Sequence, residues 1–375
     1  MSCKAFVRSQ FFVILLAVPV IMMQVENEVG VIPEARDHSA VADQAFAAHV
    51  PADLQLFLKQ HTLSPEFRVI WDAAGGKELG TWDEMFGKNQ VTEDLFMAWH
   101  FARYVNSVVV AGKAEYALPM FTNAALIRPN YQPGQYNSGG PLPHSLDIWR
   151  VGAPALDFFS PDIYFENFAE WSRKYHGSGN PVFVPEAIGD ATGAANALYA
   201  IGELQAIGFS PFGIDGAQGA RSGDEPSDGT LTTIYATLAH LAPQILQAQA
   251  EGKIRTLLME GESQRTGRMS LGDFTFTAVR SNPTEAGKRG AAMFLQLSPD
   301  EYIVTGVGNL TITFSPNTPG PPIAGIVSID EETLEGEHWT RGRRLNGDEN
   351  GQGQVLRLQA SLRPVILRIR LYRYR

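Results

Sequence analysis

The sequence predicts an α/β region built on a parallel sheet, followed by an all-β sandwich. Three observations carry this. Strand-like and helix-like stretches alternate as far as Lys253, the order that produces a parallel sheet. Beyond Lys253 the pattern changes to period-two alternation broken by Gly, Pro and Asn turns, as expected of antiparallel strands with one wet face. The 375 residues are 44% hydrophobic and 19% charged, so both regions can bury a core. The domain boundary is expected near residue 250, giving regions 1–250 and 251–375.

The first expected strand is Val18–Glu28. Its apolar stretch Phe11–Met23 follows Lys4 and Arg8 and has a weak signal-peptide character. No small-x-small cleavage site follows. Thirteen apolar residues are too few for a typical membrane span. A buried parallel strand explains the run better, because such strands are apolar on both faces. Further strands are expected at Leu118–Leu126, Phe158–Phe165, Pro181–Ala187 and Phe209–Asp215. Helices are expected between them at Val91–Val110, Ala191–Ile207 and Thr230–Gln249, the last kinked or split at Pro243. The Gly/Pro-rich connection Arg128–Trp149 has the length and composition of a functional loop. In the sandwich, alternation marks strands at 273–280, 310–315, 355–360 and 365–374.

Composition narrows the chemistry. The net charge is -10 and no Lys/Arg block precedes the last few residues, which argues against nucleic acid as a partner. Cys3 is the only cysteine and no HExxH spacing occurs, so neither a disulfide framework nor a metal site is expected. No phosphate loop or serine elbow is present, and no cofactor is expected. The compartment stays open: the chain as it stands reads as cytoplasmic, with a weak signal-peptide character at its start.

Two glutamates stand at strand ends. In "QVENEVG" the residues Gln24, Glu26 and Glu28 fall on one side of an extended strand. Catalytic groups of parallel α/β barrels sit at the C-terminal strand ends. Glu28 is nearer that end, so it takes the chemistry, and Glu26 lies deeper as a structural residue. "PVFVPEA" ends on Glu186 after Pro185, which cannot donate to a sheet ladder. Paired carboxylates at one barrel mouth are the parts needed for glycoside hydrolysis. Glu166, after "SPDIYF", occupies a similar position and competes with Glu186. A lone glutamate at a strand end is more often a salt-bridge residue, and it is the combination that points to catalysis.

"IMMQVENEVG" resembles the signature of glycoside hydrolase family 35, the β-galactosidases. The resemblance implies an incomplete (β/α)8 TIM-barrel glycosidase with strands four to eight present, followed by an accessory β-sandwich. It implies that Glu28 is the acid/base, that Asn27 contacts the sugar 2-hydroxyl, and that Glu186 is the nucleophile of strand seven. Tyr164, in the "SPDIYF" strand, would hydrogen-bond that nucleophile. Val29 stands where the family commonly has Tyr. With "QVENE" on strand four, strands one to three are expected to lie outside this sequence. That is roughly 90 residues at about 30 per βα unit. A truncated chain of this kind is expected to work poorly alone, unless subunit swapping in a homo-oligomer closes the barrel.

Other candidates are weaker. Asn123 lies at a strand end with an amide suited to a sugar hydroxyl. Trp71, Trp82, Trp149 and Trp171 are either sugar platforms or core residues, with Trp149 favoured for the site because it follows the long loop. Asp215 closes the last strand. The expected activity is retaining hydrolysis of terminal β-D-galactosides in oligosaccharides or polysaccharides. The alternative is an inactive remnant that binds carbohydrate or a partner.

Overall fold

The computed structural model describes residues 20–214, 229–261, 264–280, 289–335, 338–358 and 366–375. The signal-like stretch before residue 20, the start of the first expected strand and Asp215 lie outside the described residues. The structure is mixed α/β, with a parallel half-barrel sheet and an antiparallel sandwich-like region. It divides into two compact units: residues 1–163 with 174–185, and residues 164–173 with 186–375.

The first unit holds strand β1 (Met23–Gln24), helices α1 (Ala40–Phe46), α2 (Ala52–Gln60), α3 (Pro65–Ala73), α4 (Trp82–Phe86) and α5 (Gln90–Glu115), strand β2 (Met120–Ala125), helix α6 (Leu146–Gly152) and strand β3 (Phe158–Ile163). Strands β1, β2 and β3 pair in parallel. Gln24 stands opposite Phe121, and Ala125 opposite Asp162. Every residue of β3 is buried, which explains the continuous apolar reading of these segments. Phe121 and Phe158 stack at 5.1 Å, and Phe183 meets Phe121 edge-on at 5.1 Å. Asn180 takes the place of a strand neighbour for Phe159. Its Oδ1 accepts the Phe159 N–H and its Nδ2 donates to the Phe159 carbonyl, both at 2.8 Å.

Helix α5 runs longer than the sequence predicts at both ends. Its cap is Asn89, whose side chain accepts the Thr92 N–H at 3.1 Å, so one donor of the first turn is satisfied from outside the helix. Leu95, Ala98, Ala102, Val105 and Val109 recur at helical spacing and are fully buried.

Helix α7 (Phe168–Gly177) crosses the boundary between the units, and strand β4 (Phe183–Val184) closes the first unit's chain. Strand β5 (Glu186–Ala187) returns the chain to the second. The expected strand Pro181–Ala187 is thus broken at Pro185, which has no N–H to give a ladder. The second unit continues with helix α8 (Ala191–Leu204), strand β6 (Gly208–Phe209) and helix α9 (Thr230–Ala250). Asp190 caps α8, accepting the Thr192 and Gly193 N–H groups at 2.7 and 3.2 Å. Helix α9 continues through Pro243 as one element and is not split there.

The sandwich comprises β7 (Ile254–Met259), β8 (Thr266–Leu271), β9 (Phe274–Arg280), β10 (Gly290–Ser298), β11 (Glu301–Val307), β12 (Leu310–Pro316), β13 (Ile323–Glu335), β14 (His338–Arg344), β15 (Leu356–Leu358) and β16 (Ile366–Tyr374). One sheet has the order β14-β13-β16-β11-β10-β7, the other β15-β12-β9-β8. Between them lies an aromatic core, in which Phe276 meets Phe294 at 4.5 Å and Tyr302 at 5.3 Å.

The six-stranded sheet has no wet face at its β10–β11 region, contrary to the sequence reading. Ala292 and Phe294 of β10 point into the inter-sheet core. Their neighbours Ala291, Met293 and Leu295 point the other way, against Ala194, Ala195 and Leu198 of α8 and Ile234, Leu241 and Ile245 of α9. Small residues bring α8 close to the sheet. A Cβ on Gly202 would fall 2.1 Å from Thr256 Oγ1 and 2.9 Å from Met293 Sδ.

Asp330 on β13 is 1% exposed. Arg344 forks onto its carboxylate, Nε to Oδ1 at 2.7 Å and Nη2 to Oδ2 at 3.0 Å, and Arg341 lies 3.6 Å away. The Arg344 hydrogen bonds, aided by the charge of both arginines, hold the Asp330 carboxyl below its ordinary value of 3.8. A depressed folded value means stability that is present above the unfolded pKa and lost as pH falls through the folded one. Asp330→Asn is therefore expected to cost about 1–3 kcal/mol at neutral pH. The cost should shrink as pH falls below about 4, the ordinary carboxyl value, and on through the lower folded one. Urea unfolding of both proteins at pH 7 and pH 3 checks this, and a cost independent of pH would contradict it.

Among the described residues no helix is long and apolar enough to cross a membrane.

Candidate active site

In the first unit, the site begins where β1 ends. The strand stops at Gln24, and Glu26 and Glu28 follow with φ of +60° and +47°. Left-handed backbone is unfavourable for residues with a Cβ, so strand alternation does not place these two side chains. Glu26 is exposed rather than deep, and its Oε1 accepts the Tyr104 hydroxyl at 3.0 Å. That hydrogen bond, then the carboxylate charge, raises the Tyr104 pKa. Glu28 is half-buried.

The strained turn is held by side-chain amides. Asn123, fully buried in the C-terminal half of β2, accepts the Glu28 N–H on Oδ1 at 2.9 Å. Its Nδ2 donates to Asn27 Oδ1 at 3.0 Å and to Asp162 Oδ2 at 2.5 Å. Gln24 Nε2 donates to Asn27 Oδ1 at 2.9 Å and to the Glu26 carbonyl at 3.1 Å. Asn137 Nδ2 donates to the Glu28 carbonyl at 2.7 Å. Gly30 lets the chain pass Asn137, since a Cβ there would lie 2.4 Å from the Asn137 carbonyl carbon. Asn27, Glu28 and Asn123 are thus brought together at the C-terminal rim of the parallel strands, the place where α/β sheets carry their chemistry.

Gln24 completes this cluster with Asp162 and Asn137, which were not singled out from sequence. Asp162 had a signal of its own, as an acid within the apolar strand β3. A buried carboxylate requires partners. Besides bonding Asn123, it adds to the effect of burial in holding the Tyr175 phenol well above its ordinary pKa.

The long loop Arg128–Trp149 is anchored by Asp94 of α5. Asp94 Oδ2 accepts from the Tyr136 hydroxyl and pairs with His144 Nε2, both at 2.7 Å, and Oδ1 accepts the Gly139 N–H. Gly139 has φ +88°, and a Cβ there would meet Met97 Cβ at 2.7 Å. Burial foremost, and then Asp94, push the Tyr136 pKa far up. Trp149 belongs to this anchor. It is fully buried and its indole N–H donates to the Gly139 carbonyl at 3.1 Å. It offers no open face to a sugar, so its site role is withdrawn on burial grounds. Trp71 and Trp82 are buried core residues, and Trp171 is half-buried on α7.

In the second unit, the Tyr164 hydroxyl donates to Glu186 Oε2 at 2.6 Å. Tyr164 is 44% exposed and Glu186 is half-buried, so the pair is open to solvent. Glu166, the rival carboxylate, is directed elsewhere: its Oε2 is 3.8 Å from the position a Cβ would take on Gly261, and its charge acts on Arg289.

Residues 231–357, covering α9 and strands β7 to β14 and reaching into β15, match a family described as a domain of unknown function, DUF5597. No curated protein matches the chain.

Proposed function

We propose that the protein is a retaining β-glycosidase of the kind that glycoside hydrolase family 35 exemplifies, acting on terminal β-D-galactosides. The observation that carries this reading is the Tyr164–Glu186 hydrogen bond. The sequence resemblance assigns Glu186 as nucleophile and a tyrosine of the preceding strand as its partner, and the two side chains meet at 2.6 Å. The Asn27–Glu28 turn at a parallel strand's C-terminal rim supports the acid/base assignment.

In this mechanism Glu186 attacks the anomeric carbon through one carboxylate oxygen while Tyr164 holds the other. The glycosidic C–O bond breaks as Glu28 passes its proton to the leaving oxygen. Glu28, now ionised, takes a proton from water, whose oxygen displaces Glu186 and restores the starting anomer. Such a pair works with its carboxyl groups about 5–5.5 Å apart. Asn27 supports the sugar 2-hydroxyl, and Asn123 acts through the turn it fixes.

The test is proton NMR of the reaction of the full chain with 4-nitrophenyl β-D-galactoside. The first-formed sugar is expected to be the β-anomer. An α-anomer first product removes the retaining pair, and no turnover of any aryl β-glycoside removes the glycosidase reading for this chain in favour of the inactive remnant.

A further inference from the structure

We propose that Arg289 of the sandwich is a positioning residue for the Tyr164–Glu186 pair, clamping the two segments that carry these side chains. Its kinetic consequence rests on the glycosidase reading above, whereas the clamp itself does not.

The Arg289 side chain is 6% exposed. Its Nη1 donates to Asn196 Oδ1 at 2.7 Å, on the helix that follows Glu186. Its Nη2 donates to the carbonyl of Phe165, the residue after Tyr164, at 3.4 Å. Glu260 Oε1 lies 3.7 Å from Nη1. The Glu260 carboxylate also accepts the Ala169 N–H, at 3.2 and 3.3 Å, in the first turn of α7. One guanidinium and its carboxylate partner therefore touch the chain just beyond Tyr164, the start of the helix after it, and the helix after Glu186. A planar fork with five fixed donors can satisfy acceptors in separate directions, which a lysine ammonium on a flexible stem does poorly. Burying such a charge is costly unless it is paired, so a residue placed only for packing would be apolar here.

Arg289 and Glu260 both lie in the stretch that matches the domain of unknown function. That domain then has a task. It fixes the distance and angle at which the Tyr164 hydroxyl meets Glu186, and small errors in such geometry are expensive in rate.

The experiment compares the wild-type chain with Arg289→Lys and with the double variant Arg289→Met/Glu260→Gln, which leaves no unpaired buried charge. Hydrogen exchange is followed in peptides spanning 165–169, 186–196 and the sandwich strands β9 to β12. Kinetics use 2,4-dinitrophenyl β-D-galactoside. Both variants are expected to exchange faster at 165–169 and 186–196, with the sandwich unchanged. They should lose on the order of 100-fold in kcat with KM little altered. Unchanged exchange in both segments overturns the clamp. Faster exchange throughout the sandwich overturns it too, since it marks general destabilisation. Faster local exchange with kcat retained overturns the positioning role. A wild-type chain with no turnover refutes the glycosidase reading and the kinetic role with it, and the exchange result still decides the clamp.

Discussion

Glu186→Ala is expected to abolish turnover of β-galactosides. Removing a nucleophile deletes the covalent route altogether, and comparable losses in other enzymes are on the order of 10⁴-fold or more. The fold should tolerate the change. Glu186 is half-buried, and its Oε2 accepts from the hydroxyl of Tyr164, which is 44% exposed and can turn to water. The thermal midpoint is therefore expected to move little while kcat collapses. Azide should restore part of the rate with an activated galactoside. Because the vacated carboxylate position lies on the face opposite the leaving group, the product should be the α-galactosyl azide. A variant that retains more than a tenth of wild-type kcat would transfer the nucleophile role elsewhere, with Glu166 the first alternative.

Much of the layout was legible in the sequence because burial writes itself into the pattern. All five strands expected in the first two thirds have a counterpart among the described elements, though several are shorter. The turn that carries Glu26 and Glu28 shows why boundaries were harder. Glu26 and Glu28 sit in left-handed backbone, a conformation that side-chain type does not favour and that neighbouring amides enforce. Asn123 does this from 95 residues away in the chain, and no local pattern encodes such a contact. Gly30 and Gly139 were visible as glycines, but the close approach that each permits depends on Asn137 and Met97.

The sandwich was legible in four of its ten described strands, for a physical reason. Strands 273–280 and 310–315 alternate because one face meets the inter-sheet core and the other is more open. Strand β10 reads as an unbroken apolar run, since its alternate residues enter two different cores. Periodicity alone cannot separate such a strand from a buried helix. The covering helices α8 and α9 lie earlier in the sequence. The same arrangement explains why residues 186–250 belong with the sandwich in one compact unit. The helix that follows Glu186 rests on β7 and β10, and Arg289, the residue just before β10, reaches back to it.

Glu28→Ala is expected to behave differently from Glu186→Ala, and the difference tests the assignment of roles. An acid matters in proportion to how poor the leaving group is. With 2,4-dinitrophenolate no proton is needed to form the glycosyl-enzyme, so that step should stay near its wild-type rate. With lactose or an alkyl galactoside the loss should reach about 10²–10⁴-fold, the usual contribution of a positioned proton donor. The second step should suffer for every substrate, since water then lacks its base. Activated substrates should therefore give a burst of dinitrophenol followed by slow turnover, with a lowered apparent KM as the intermediate accumulates. Azide needs no base and should accelerate the slow phase, and its product should be the β-galactosyl azide because it displaces Glu186 from the sugar. The backbone of the turn should survive the substitution, because Asn123 and Asn137 hold the Glu28 N–H and carbonyl rather than its carboxylate. Equal losses on activated and unactivated galactosides, with no burst, would mean that Glu28 does not carry the proton. An α-azide from this variant would exchange the roles of Glu28 and Glu186.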